Sequence, residues 1–262
     1  MTDWERDSGF DLTGKRAVVV GFGNPGGHSI ALALAEAGAH VAVASATLDG
    51  DEVMAAKSAA KAIQALGRES MSQGWDVTLP TNVQVGLRQI VKDFGKPSII
   101  VFNADRPSVG PIGGVTDTEF SQVLQTNLAG AFYTARAFLK ERDESEPGRI
   151  IFVTSILGER GLDNVSAYAA AKAGVVGLSN ALSQELGPQN ATANCIATGW
   201  MSWTTGRGSD ELTENVLLRF IAMRRFGEGD ELGGAAVLLA SDASGYINGE
   251  VVHVDGGVTT HL

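Results

Sequence analysis

The sequence predicts an α/β fold, a single domain built on a doubly wound parallel sheet of about seven strands flanked by helices. Two patterns carry that expectation. Short, continuously apolar runs rich in Val and Ile recur along the 262-residue chain, as strands do when helices cover both faces. Between them lie longer stretches with helical spacing, so that strand and helix alternate throughout. No internal repeat, low-complexity segment or Pro/Gly linker divides the chain, and with 44% hydrophobic residues residues 1–262 can bury one core as one domain. Residues 1–10 are expected to be loose.

Arg16-Ala17-Val18-Val19-Val20 is the first strand and enters the turn Gly21-Phe22-Gly23-Asn24-Pro25-Gly26-Gly27. A helix from Ser29 to Ala37 follows, closed by Gly38, and His40-Val41-Ala42-Val43-Ala44 is the second strand. Backbone N–H groups of such a turn, with the helix amino terminus behind it, can cradle a pyrophosphate. Gly21, Gly23, Asn24, Gly26 and Gly27 are therefore candidate dinucleotide contacts on a Rossmann-type sheet. Asp51 to Leu66 is helical, the segment around Met71 to Val77 holds a short strand ending in Asp76, and Asn82 to Phe94 is helical. Ser98-Ile99-Ile100-Val101-Phe102 leads to Asn103-Ala104-Asp105, and one long helix is expected from Glu119 to Lys140. Ile150 to Ser155 forms the fifth strand and Thr192 to Ala197 the sixth. Two short helices around Asp210 to Met223 and Asp230 to Leu239 precede a last strand, Glu250 to Val254.

The chemistry centres on Ser155 and on Tyr168-Ala169-Ala170-Ala171-Lys172. Tyr168 and Lys172, four positions apart on one helix, project from the same face. A nearby ammonium favours the phenolate and turns a tyrosine of ordinary pKa near ~10 into an acid/base group. Ser155 closes an apolar strand at its carboxyl end, the edge where open α/β sheets hold ligands. The competing reading of the Tyr/Lys spacing is a ring beside a solvated amine.

Composition narrows the function. A net charge of −10 argues against nucleic acid or an anionic membrane surface as partner. The single cysteine, Cys195, lies in an apolar run and reads as a small buried hydrophobe, not a nucleophile. His28, His40, His253 and His261 lack ligand spacing, so no metal is expected. The polar start and the lack of any run of spanning length lead us to expect a cytoplasmic protein without a membrane segment.

On these residues the chain resembles the short-chain dehydrogenases/reductases, in their 3-oxoacyl reductase-like branch, over nearly its whole length. The marks are Tyr168-x-x-x-Lys172, Ser155 before the tyrosine, Asn127 in Thr126-Asn127-Leu128-x-Gly130, Asp76-Val77 after the third strand, and the endings Ser241 to Gly249 and Val254-Asp255-Gly256-Gly257. The resemblance implies an NAD(P)(H)-dependent oxidoreductase that interconverts a secondary alcohol and a ketone. Asn127, Ser155, Tyr168 and Lys172 would be its catalytic residues. Tyr168 would be the acid/base, Ser155 a second donor to the substrate oxygen, and Lys172 a holder of the cofactor ribose. Asn127 would anchor a water linking Lys172 to solvent, or else be an amide capping a local helix kink. Asp76, Val77, Asn103, Ala104, Gly199 and Met201 join the glycine turn, Ser45, Tyr168 and Lys172 on the cofactor side. A homotetramer or homodimer is implied.

This chain departs from the family pattern on that side. Pro25 stands for the middle glycine of the turn and removes an N–H, although Gly21-x-Gly23-x-x-Gly26 offers a second register. Asp105 replaces a glycine, Thr198 a proline, and Trp203 a threonine. Such changes keep open a catalytically weak nucleotide-binding or scaffold protein on the same fold, whereas a dehalogenase-like relative would carry arginine at position 172. At the end of the second strand Ser45 replaces the usual acid, and its hydroxyl with that of Thr47 could bond a 2′-phosphate, which slightly favours NADP(H) over NAD(H). A lid over 198–225, with Pro107, Val109, Ile112, Ile156, Leu157, Trp200, Met201 and Trp203, suits an apolar or acyl-bearing substrate.

Overall fold

The computed structural model of the chain describes residues 9–204 and 211–260, without the side chains of 211–214. The loose start expected over 1–10 thus lies almost wholly outside the described residues, as do 205–210 of the expected lid.

Seven strands form one sheet: β1 (Arg16–Val20), β2 (His40–Ala44), β3 (Ser72–Gln73), β4 (Ile99–Phe102), β5 (Gly148–Ser155), β6 (Ala191–Thr198) and β7 (Val251–Val254). Every pairing is parallel and the order is β3-β2-β1-β4-β5-β6-β7. Successive residues of each inner strand feed opposite layers of core. Val18, Ile100 and Phe152 pack with Leu87, Ile90 and Phe138 on one face, while Val19, Val101 and Ile151 pack with Ile30, Leu34 and Ile63 on the other. Each such fully buried side chain contributes on the order of 1.5–3 kcal/mol relative to exposure. This two-sided burial is why the strands read as unbroken apolar runs.

The helices are α1 (Pro25–Glu36), α2 (Gly50–Ala65), α3 (Pro80–Phe94), α4 (Asp117–Leu124), α5 (Gly130–Glu141), α6 (Ser166–Leu186), α7 (Glu211–Phe220) and α8 (Gly233–Ala240). Helix α1 starts four residues earlier than expected because Pro25 sits in its first turn, where a missing N–H costs nothing, and the Asn24 side chain caps the Gly26 N–H. The strand expected around Met71 to Val77 shrinks to two residues. The chain leaves the sheet there, so that the Trp75 side chain is buried and Asp76 can bond its own turn through the Thr78 N–H and hydroxyl.

The single long helix expected from Glu119 to Lys140 is interrupted by a π-helical turn, Gln125–Ala129. Its cause is Asn127, wholly buried, whose amide donates to the carbonyl of Val123 and to that of Arg106 outside the helix. A polar group inserted into the helical ladder widens it locally.

Because β1 and β4 are neighbours, the chain winds outward in opposite directions from this pair and leaves a crevice at their carboxyl ends. Cys195 confirms its structural reading: it is fully buried, and desolvation pushes its thiol up to about 11. A disulfide reagent such as Ellman's should therefore label no thiol in the native protein at mildly alkaline pH and one thiol after unfolding; rapid native labelling would contradict this packing.

Candidate active site

The glycine turn is shaped by two close approaches. Gly21 has φ of 101°, and a Cβ there would lie 2.5 Å from the backbone nitrogen of Ala104, while a Cβ on Gly27 would lie 2.0 Å from the Gly21 carbonyl oxygen. Only glycine is tolerated at either position, which seats α1 against β1 and β1 against the end of β4. Asn103 secures the junction by donating to the Gly21 carbonyl at 3.0 Å and to the Asn24 side chain at 3.2 Å. Gly21 and Gly27 are thus the structural pair of the turn. A Cβ at Gly23 would meet only the Glu52 carboxyl, at 3.9 Å and beyond, so this backbone is open to close approach.

Glu52 lies in the first turn of α2 and is 8% exposed. Its carboxylate accepts from the N–H of Phe22 at 2.9 Å, of Ala46 at 2.8 Å and of Thr47 at 3.0 Å, and from the Thr47 hydroxyl at 2.6 Å. Four donors around one carboxylate offset its desolvation. A negative charge therefore stands beside the glycine turn at the end of β2, although the strand itself ends without an acid.

On the other side of the crevice, β5 delivers Ser155 and α6 delivers Tyr168 and Lys172. The turn after Ser155 runs close to α6, for a Cβ at Gly158 would lie 2.8 Å from the Ala173 nitrogen. The Thr154 hydroxyl donates to the Lys172 carbonyl at 3.1 Å. Ser155 Oγ accepts from the Leu157 N–H at 3.2 Å, an arrangement that leaves its proton to donate. Lys172 Nζ lies 5.4 Å from the centre of the Tyr168 ring and 3.4 Å from the Val153 carbonyl oxygen. Asp105 completes the group. Its Oδ1 accepts the Tyr168 hydroxyl at 2.8 Å and pairs with Lys172 Nζ at 3.0 Å.

These side chains share a cavity of about 550 Å³ that runs from Asn24 and Asn103 past Asp105, Tyr168 and Lys172 to Gly199. Val109, Leu157, Leu162, Trp200, Trp203 and Leu217 supply its apolar wall. A second, more polar hollow of about 620 Å³ lies between Thr47, Asp76, Arg106 and Thr126.

The protein-family model described as enoyl-(acyl carrier protein) reductase matches residues 26–259. A 3-oxoacyl-[acyl-carrier-protein] reductase of Chlamydia trachomatis is 33% identical over 248 residues, covering 94% of this chain and 98% of its own. The chain belongs to the short-chain dehydrogenase/reductase family. It is similar to two solved structures of that kind. One is a short-chain type dehydrogenase/reductase of Mycobacterium marinum (33% identity, TM-score 0.88, covering 96% of this chain and 98% of that one). The other is a gluconate 5-dehydrogenase of Burkholderia cenocepacia in complex with NADP and tartrate (28% identity, TM-score 0.89, covering 97% and 98%). As a short-chain dehydrogenase/reductase, the protein is an NAD(P)-dependent oxidoreductase.

Within this family frame several expected contacts move. Ser45 is fully buried and its hydroxyl accepts the Trp75 N–H at 3.2 Å, and the Thr47 hydroxyl is spent on Glu52. Neither is placed to hold a 2′-phosphate. Met201 packs inward, with its sulfur against Gly227, and is 1% exposed; it does not line the cavity. Val77 is buried against Gly130, Ala104 is covered by the turn, and Ile112 is 81% exposed, outside the cavity. Asn127 caps the helix kink, its side-chain oxygen accepting the Arg106 N–H at 3.1 Å and its amide donating to the Val123 and Arg106 carbonyls. Glu52 carries no sequence signal of its role. The spacing from Asp49 to Glu52 reads as a capping box, which would aim the carboxylate at Asp49, yet it reaches two strand ends instead.

The turn, the open backbone at Gly23 and the cavity beyond Asn103 fit a dinucleotide. At Lys172 the fit is incomplete, because Asp105 holds the ammonium. Replacing Gly21 by Ala should lower stability by about 2 kcal/mol or more, since a Cβ there clashes with backbone at positive φ; urea unfolding with a wild-type midpoint would refute the close approach.

Proposed function

We propose that the enzyme interconverts a secondary alcohol and a ketone with an apolar or acyl-bearing body, Tyr168 acting as acid/base. The observation that carries this reading is the meeting of Tyr168, Ser155 and Lys172 in one cavity continuous with the glycine turn. When bound along that cavity, the nicotinamide would supply or accept the hydride. The turn residues Gly23, Gly26 and Gly27 with Asn24 would face its pyrophosphate. Gly199 would face the nicotinamide end, and Asp76 would border the adenine end through the polar hollow.

The chain's own part is control of the oxygen. Tyr168 is the group whose proton can move to or from it, and Ser155 Oγ, turned by its bond from Leu157, donates to the same oxygen and stabilises negative charge as it develops. The apolar wall from Val109 to Leu217 excludes water and grips the rest of the substrate. The similarity to 3-oxoacyl-[acyl-carrier-protein] reductases supports an acyl-bearing ketone. Exposed Phe120 and Phe132 on α4 and α5 support assembly as a homotetramer or homodimer through that face.

Between the two nicotinamides, Glu52 supports NAD(H) in this chain. A carboxylate beside the glycine turn repels a 2′-phosphate, and the donors that would receive the phosphate are already bonded to it.

Two measurements test these readings. Tyr168→Phe should bind cofactor as the wild type does, by energy transfer from the protein's tryptophans, but lose turnover by about a hundredfold to ten-thousandfold; an unchanged rate would sink the assignment of Tyr168. Glu52→Gln should shift the ratio of NADPH to NADH dissociation constants toward NADPH by about tenfold, and a wild type that already prefers NADPH would refute the role given to Glu52.

A further inference from the structure

Two groups that the family resemblance assigns to the proton route and the ribose have partners within the protein. Both Asn127 amide hydrogens go to backbone carbonyls, at 2.9 Å and 3.0 Å, and Lys172 is held by Asp105. What stands beside the Tyr168 hydroxyl is a carboxylate. One oxygen of Asp105 touches both the phenol and the ammonium, and its side chain is 22% exposed toward the cavity.

We propose that Asp105 is a catalytic proton relay, taking the proton that passes through Tyr168 when the alcohol is oxidised and returning it when the carbonyl is reduced. The proposal rests on the oxidoreductase reading above. In the oxidation direction the substrate O–H bond breaks and its proton joins the Tyr168 oxygen, while the proton of Tyr168 crosses the 2.8 Å to Asp105 Oδ1. A bound nicotinamide would be the oxidant, accepting the electron pair of the carbinol C–H bond as hydride. The protonated carboxyl then gives its proton to water at its exposed edge, so charge and atoms balance.

The geometry supplies such a partner. The Asp105 carboxylate binds the Tyr168 hydroxyl hydrogen at 2.8 Å, and the Lys172 ammonium pairs with the same carboxylate oxygen at 3.0 Å. A neutral phenol is a poor base by itself. With a carboxylate behind it, it can accept one proton while surrendering another, and Lys172 fixes the geometry. Among the described residues, the other charged groups near Asp105 are Asp163, which lines the same cavity, and Arg106, whose guanidinium turns away to Gln122 at 2.6 Å.

The test uses the full-length enzyme with Asp105→Asn and Asp105→Ala. Without cofactor, the near-ultraviolet phenolate signal of Tyr168, taken as the difference from its Phe variant, should appear at lower pH in Asp105→Asn than in the wild type, because the Lys172 charge is no longer offset. With cofactor and an alcohol, Asp105→Asn should lose about a hundredfold in kcat at neutral pH and regain rate at alkaline pH, where phenolate forms without a relay. Added formate should restore part of the rate of Asp105→Ala. An unchanged kcat and pH profile in Asp105→Asn, or an Asp105→Ala enzyme that binds cofactor but ignores formate, overturns the relay. A wild type that binds neither NADH nor NADPH and turns over no carbonyl or alcohol overturns the oxidoreductase reading and the relay with it.

Discussion

The approach of Gly21 to the end of β4 is the contact around which the crevice is built. At 2.5 Å from where a side chain would begin, the Ala104 backbone fixes the spacing between the first turn and the segment that carries Asn103 and Asp105. Asn103 ties this segment to the turn, and Asn127 grips the next residue, Arg106, by both its N–H and its carbonyl. Asp105 is therefore held between two clamped neighbours, and its carboxylate has little choice but to face α6. One steric constraint on a glycine propagates into the charge pattern along α6.

The carboxylates of Glu52 and Asp105 both border the site, and they are satisfied in different ways. Among the described residues Glu52 has no cation; four N–H and O–H donors surround it, and hydrogen bonds to a charged group contribute roughly 1.5–3 kcal/mol each, enough together to offset desolvation. Asp105 has a cation and a phenol and retains some exposure. The first arrangement is rigid and suits a group that reads a ligand without changing state. The second contains a hydrogen that can move.

The fold was legible because strands buried on both faces leave an unmistakable pattern, and the parallel order follows from the helices between them. Ser155, Tyr168 and Lys172 were legible because each is presented by regular structure: a strand end, or two positions one helical turn apart. Side chains that act by reaching were not. Glu52 looks like a helix-capping acid, Ser45 and Met201 look accessible until the burial of their neighbours is known, and the replacement at position 105 shows in sequence only as a lost glycine, not as a bond to Tyr168. Asn127 was legible as a helix-interior amide, but the widened turn it produces depends on a partner 21 residues away in the chain.

That widened turn also joins two parts of the molecule that seem remote. The α4–α5 face carries exposed aromatic rings, while the amide at its centre holds the backbone next to Asp105. The exposed face of α4 and α5 and the carboxylate beside the phenol are thus connected through a single side chain.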